Sequence, residues 1–109
     1  MTSHADVIVV GGGLIGCAVA HALGRHGASV LVLDASAPGG GASQASGGML
    51  CPHIEGLHNP TLQRIGADSL SRYDAFIQRV RNDSGIDVPY VRNGTLQVTG
   101  TEDGAAALA

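Results

Sequence analysis

The sequence predicts an α/β fold that opens with a βαβ unit and continues into a packing helix and an antiparallel segment. Three observations carry that prediction. Ala5–Val10 and Ser29–Leu33 are short, apolar, β-branched runs, one ending at glycine and the other at Asp34, as buried parallel strands do. Between them, Leu14 to about His26 sets Leu14, Cys17, Ala18 and Leu23 along one apolar surface, with small Ala20 and Ala22 beside them. Beyond residue 85 the pattern changes. Tyr90-Val91-Arg92, Asn93-Gly94 and Thr95-Leu96-Gln97-Val98 read as a hairpin, Asn-Gly being suited to a two-residue type I′ turn.

The elements follow in order. Strand, glycine turn, helix and strand fill about thirty residues, so the crossover should be right-handed. Gly27 suits the position just after a helix, and Gly24 loosens the last turn. Residues 35–48 form a loop rich in Gly, Ser and Ala, with more glycines than a plain linker needs. Asn59-Pro60 marks a helix entry. From Thr61 to about Asn82, Leu62, Ile65, Tyr73, Phe76 and Val80 recur at helical spacing, widened by Leu70 and Ile77. Arg64, Asp68 and Arg72 stand four apart and can pair weakly. Ser84-Gly85 ends this helix, and Pro89 fits the start or edge of a strand. Thr101-Glu102-Asp103 looks like a helix start, with no cap or polar tail after Gly104–Ala109, as in the amino-terminal part of a longer protein.

Composition excludes several classes. Of 109 residues, 44% are hydrophobic, 14% charged and 3% aromatic, and the net charge is −3. Such a chain is not disordered, and its core should be aliphatic. All six basic residues are Arg, and no block of like charge offers nucleic acid or an anionic membrane a footprint. Val7–Leu23 is short for a membrane span, is broken by Gly11, Gly12, Gly13 and Gly16, and lacks a basic leader. Cys17 and Cys51 form no C-x-x-C pair, so two free thiols in a cytoplasmic protein are expected.

Gly11-Gly12-Gly13-Leu14-Ile15-Gly16 is G-x-G-x-x-G, and it follows a strand and opens a helix, the context in which the motif binds dinucleotides. Gly11 permits the tight turn, Gly13 lets backbone approach a pyrophosphate, and Gly16 lets helix and strand pack closely. The helix N-terminus offers N–H groups and partial positive charge to phosphates. Asp34, 18 residues after Gly16, can accept from a ribose diol and would repel a 2′-phosphate. The unit is therefore Rossmann-like, with FAD or NAD as its ligand rather than NADP.

Gly11 to Asp34, followed by Gly39-Gly40-Gly41-Ala42-Ser43-Gln44-Ala45-Ser46-Gly47-Gly48-Met49-Leu50, resembles the amino-terminal part of the D-amino-acid-oxidase family of FAD enzymes. Pro52-His53-Ile54-Glu55 and Asn93-Gly94-Thr95-Leu96 are similar too, nearest to the glycine-oxidising members tied to thiamine biosynthesis. The resemblance spans essentially the whole chain. It implies FAD as cofactor, held by Gly11, Gly13, Leu14, Ile15 and Gly16 at the pyrophosphate and by Asp34 and Ala35 at the adenosine ribose. Ala42 and Ser43 would meet the phosphates or ribityl chain, and Gly47, Gly48 and Met49 would run beside the flavin. The family usually has Glu where this chain has Asp34. Residues 1–85 would be an incomplete FAD-binding region and 86–109 the truncated beginning of an antiparallel substrate domain.

The implied activity is oxidation of the amine of glycine, sarcosine or a small D-amino acid. Hydride passes to the flavin, and dioxygen reoxidises it to give hydrogen peroxide. A quinone-linked dehydrogenase, or a free-standing dinucleotide module without catalysis, is the alternative. The implied partners are a small amine or amino-acid substrate and dioxygen, with no nucleic acid and no membrane span, and a homo-oligomer is compatible. No residue matches the family's carboxylate-binding Arg, so no catalytic residue is assigned. Cys51, His53, Glu55 and His58 fit no zinc spacing, and Pro52 is expected to disrupt helical placement there. His21 and His26 read as solvated or capping residues. Ser43 and Ser46 lie in no G-x-S-x-G elbow.

Overall fold

A computed structural model of the protein describes residues 4–55 and 59–108. The chain forms two compact units, Met1–Met49 and Leu50–Ala109.

The first unit is the βαβ unit. Strand β1 (Val7–Val10) pairs in parallel with β2 (Val30–Leu33), in the register Val7–Val30 through Val10–Leu33. The Gly11 N–H extends the ladder to the Leu33 carbonyl at 2.7 Å. Helix α1 (Leu14–Arg25) connects the strands. Val7 and Val9 are half-buried, whereas Ile8 and Val10 on the other face are 57% and 84% exposed. One side of the two-stranded sheet is thus open. At the C-terminus of α1 the His26 N–H reaches the Ala22 and Leu23 carbonyls, and Arg25 sits in the last turn, where its charge suits the helix dipole. The loop after β2 carries a one-turn helix, α2 (Ala42–Ala45), where the sequence suggests only irregular chain.

The second unit contains α3 (Pro52–Glu55), α4 (Pro60–Ser71), α5 (Tyr73–Ser84) and α6 (Glu102–Leu108). Pro52 does not disrupt a helix here. It opens α3, as proline can at a first helical position, and the Cys51 carbonyl accepts the Ile54 and Glu55 N–H groups at 3.1 Å. The Asn59 side chain caps α4, its Oδ1 accepting from the Thr61 and Leu62 N–H groups at 3.1 Å. The single helix expected from Thr61 to Asn82 is two. The chain breaks at Arg72, whose N–H bonds to the Ser69 carbonyl at 3.1 Å while Ser71 Oγ donates to the Asp68 carbonyl at 2.7 Å. Such i→i−3 bonds and serine back-bonding compete with the regular ladder. Arg72 and Asp68 pair at 3.2 Å on an exposed face, worth a few tenths of a kcal/mol. Gly66 is a mid-helix glycine with a packing reason: a Cβ there would lie 2.6 Å from Pro52 Cβ, so α3 sits against α4 through it.

Helix α5 buries Ile77, 7% exposed and the one buried apolar side chain among the described residues. The buried side chain is aliphatic, as expected, and an aromatic cluster lies in the same unit. Tyr73 lies 5.5 Å from the rings of both Phe76 and Tyr90, so the chain's three aromatic residues form one cluster.

Residues 90–98 form no strand. Segment 88–92 lies instead along α5. Arg81 donates to the Val88 carbonyl from Nη2 at 2.6 Å and from Nε at 3.0 Å, and Arg92 meets Asp74 at 2.6 Å. A type I′ turn needs positive φ at both central residues. Gly94 has φ +74°, but Asn93 does not, so the turn that would align two strands is absent. Helix α6 starts where the sequence suggests, and the Thr101 Oγ1 accepts the Gly104 N–H at 3.1 Å. No helix among the described residues is long and apolar enough to cross a membrane.

Candidate functional site

The sharp exit from β1 is made by Gly11, whose φ of +103° only glycine adopts readily. Gly16 then faces back onto it: a Cβ at residue 16 would run into the Gly11 carbonyl and touch Val9. The glycine predicted to bring helix and strand together does so. Gly13 serves as the N-cap of α1 but has no side chain to cap with. Ser43, far along the chain, supplies the cap, its Oγ accepting the Leu14 N–H at 2.8 Å. A Cβ at Gly13 would sit 3.1 Å from that same oxygen.

Asp34 closes the other side of the turn. Its Oδ2 accepts the Gly12 N–H at 2.5 Å, and its Oδ1 accepts the Ser36 N–H at 2.8 Å and the Ser36 hydroxyl at 3.0 Å. These donors, the Ser36 N–H first and the Gly12 N–H next, hold the carboxyl below its ordinary value, since each bonds the ionised form. Val10, Gly11, Leu33, Asp34 and Ala35 line a cleft of about 240 Å³ at the carboxyl ends of both strands, where open α/β sheets bind ligands.

The structure therefore brings Gly11, Asp34 and Ala35 together around one cleft, and Gly13, Leu14 and Ser43 together at the start of α1. Ala42 opens α2 beside Ser43, and Ile15 is exposed on the first turn of α1. Gly47, Gly48 and Met49 follow as chain without regular structure, lining no part of that cleft, with Met49 76% exposed. Two further residues contribute that the sequence pattern does not single out. Gly12 fills a spacer position of the motif, yet its N–H holds Asp34. Ser36 does carry a local signal, since Asp-x-Ser is a turn signature in which the carboxylate accepts from the N–H two residues on.

Elsewhere, Cys51 Sγ lies 3.6 Å from Glu55 Oε1, and partial burial followed by the Glu55 carboxylate raises the thiol above its ordinary value. His58 falls outside the described residues, and among those described no group of His, Cys, Asp and Glu could hold a metal ion. Both cysteines are free thiols.

A parallel strand pair, a glycine turn against a helix N-terminus and a carboxylate at the second strand's end define a dinucleotide-binding protein. The chain belongs to the DAO family of FAD dependent oxidoreductases, whose family model matches residues 6–109. The cofactor of this family is FAD. The chain is 32% identical to a glycine oxidase of Geobacillus kaustophilus over 105 residues, covering 96% of this chain and 28% of that enzyme. It is 32% identical to one subunit of the opine oxidase of Agrobacterium tumefaciens over 98 residues, 90% of this chain and 26% of that polypeptide. With the bifunctional protein ThiO/ThiG of Trichormus variabilis it shares 31% identity over 91 residues, 84% of this chain and 14% of that protein. The chain thus spans about a quarter of the length of the first curated relatives it matches.

Proposed function

We propose that the protein oxidises the amine of glycine, sarcosine or a small D-amino acid with FAD as hydride acceptor and dioxygen as the final oxidant. The observation that carries the reading is the geometry of the glycine turn: the polar hydroxyl of Ser43 already occupies the mouth of α1, 2.8 Å from the Leu14 N–H, where a phosphate oxygen would be received. The alignment with amine-oxidising relatives over nearly the whole chain supports the substrate class.

In this reading Gly11, Gly13, Leu14, Ile15 and Gly16 cradle the pyrophosphate at the positive end of the α1 dipole, with the Gly11 N–H held by the Leu33 carbonyl and the Leu14 N–H by Ser43 Oγ. Asp34 and Ala35 receive the adenosine ribose in the cleft. Ala42 and Ser43 meet the phosphates or ribityl chain, and the small Gly47 and Gly48, with Met49, let backbone pass the flat ring. When bound, FAD would supply a two-electron acceptor that dioxygen can reoxidise. The part played by this chain's residues is orientation, which alone supplies several kcal/mol in such reactions. Residues 1–85 then serve the cofactor, and 86–109 begin an antiparallel substrate domain, a reading supported by the family match running through residue 109. We place the protein in the cytoplasm.

The test is to purify the native protein, identify its released flavin, and assay peroxide with glycine, sarcosine and D-alanine. Peroxide from at least one of them is expected. Flavin-loaded protein inactive on all three, with dioxygen and with dye acceptors, would overturn the reading. Turnover with a dye or quinone and no peroxide would make it a dehydrogenase instead.

A further inference from the structure

We propose that Ser36 is a positioning residue of the dinucleotide site, acting through Asp34 on both the glycine turn and the cofactor's ribose; the inference rests on the FAD-binding reading above. Ser36 donates twice to Asp34 Oδ1, from its N–H at 2.8 Å and its hydroxyl at 3.0 Å. The other oxygen takes the Gly12 N–H at 2.5 Å, across 22 residues of chain. A free aspartate turns about its side-chain bonds; this one is fixed at both ends, by one loop on one oxygen and the other loop on the second.

The count of acceptor positions then matters. A carboxylate offers roughly four; the Ser36 N–H, the Ser36 hydroxyl and the Gly12 N–H fill three, and the Ala35 N–H bears on the group more weakly. One position remains for a ribose hydroxyl at the cleft lined by Val10, Gly11, Leu33, Asp34 and Ala35. Because Ser36 Oγ gives its proton to Asp34, it presents only acceptor lone pairs outward. Removing the Ser36 hydroxyl frees Oδ1 to turn, so the position kept for the ribose is no longer held and the Gly12 bond loses its brace. Ser36 thereby sets how many ribose hydroxyls the site reads, without touching the reacting end of the cofactor.

The test uses the native protein freed of flavin and titrated by calorimetry with ADP, 2′-deoxy-ADP and 3′-deoxy-ADP. Ser36→Ala should bind ADP about tenfold more weakly, the worth of one hydrogen bond to a charged group. With the deoxy analogue that lacks the hydroxyl Asp34 accepts, the loss should shrink to under threefold. Ser36→Thr, which keeps the hydroxyl, should restore ADP affinity to within about threefold of wild type. If Ser36→Ala does not fold, Ser36→Cys, of similar size and a weaker donor, carries the same expectation. ADP affinity unchanged in Ser36→Ala, or lost equally for ADP and both deoxy analogues, overturns the proposal. Wild-type protein that binds neither ADP nor FAD overturns the dinucleotide reading itself, and this inference with it.

Discussion

Asp34 shows how much one side chain can be asked to do. Its folded-state carboxyl is held below the ordinary value of 3.8, by Ser36 first and Gly12 second. A carboxyl depressed on folding stabilises the native state at pH values above its unfolded value, and that stabilisation is lost as pH falls through the lower folded value. Asp34→Asn should therefore melt below wild type at neutral pH and converge with it in acid, checked by thermal melts across a pH series from 7 to 2. Gly16→Ala tests the closest approach in the turn. Its Cβ is driven against the Gly11 carbonyl, and overpacking of this kind costs about 1–3 kcal/mol, visible as a lower melting temperature together with lost FAD binding. Gly13→Val should abolish FAD binding while leaving far-ultraviolet circular dichroism nearly unchanged, because residue 13 is an N-cap rather than a helical position. At this scale the motif glycines and Asp34 were legible, since their spacing is set by the covalent geometry of the turn. Gly12 was not, because a hydrogen bond across 22 residues leaves no periodic trace, and Ser36 carried only the local Asp-x-Ser turn signal, which lies outside the glycine motif.

Helix α1 begins without a capping side chain of its own, and the loop after β2 lends it one. Ser43→Ala should cost about 1 kcal/mol, the usual worth of an N-cap, and should weaken amide protection at the first turn of α1 in hydrogen exchange. Gly66→Ala reverses a familiar sign. Alanine normally gains about 1 kcal/mol over glycine inside a helix, but here its Cβ meets Pro52 at 2.6 Å, so the variant should be less stable by urea denaturation. The helix over 60–84 was legible as an apolar stripe, and its split at Arg72 was not. The stripe continues across the break because Ser71 and Ser69 alter the ladder without altering which face is apolar. Asn93-Gly94 failed for a related reason: the dipeptide names a turn, whereas the backbone takes positive φ only at the glycine, and segment 88–92 finds its partners on α5.

Over the whole chain, burial is thin. Two strands pair with each other alone among the described residues, Val10 and Ile8 lie open, and only Ile77 is a buried apolar side chain. The 109-residue chain expressed by itself should melt over a broad range and bind a hydrophobic dye strongly, as marginally packed chains do. A sharp cooperative melt without dye binding would instead favour a self-sufficient module. The fold class was legible because β1, α1 and β2 follow one another within 27 residues and need no distant partner to declare themselves. That locality has a consequence for synthesis. The turn, Asp34, Ser36 and Ser43 have all emerged once residue 49 has, and they join no later segment through the bonds described. At roughly 5–20 residues per second, the next sixty residues take about 3–12 s to add. The hydrogen bonds that shape the turn thus need nothing made after residue 49, and their formation does not wait on the second unit.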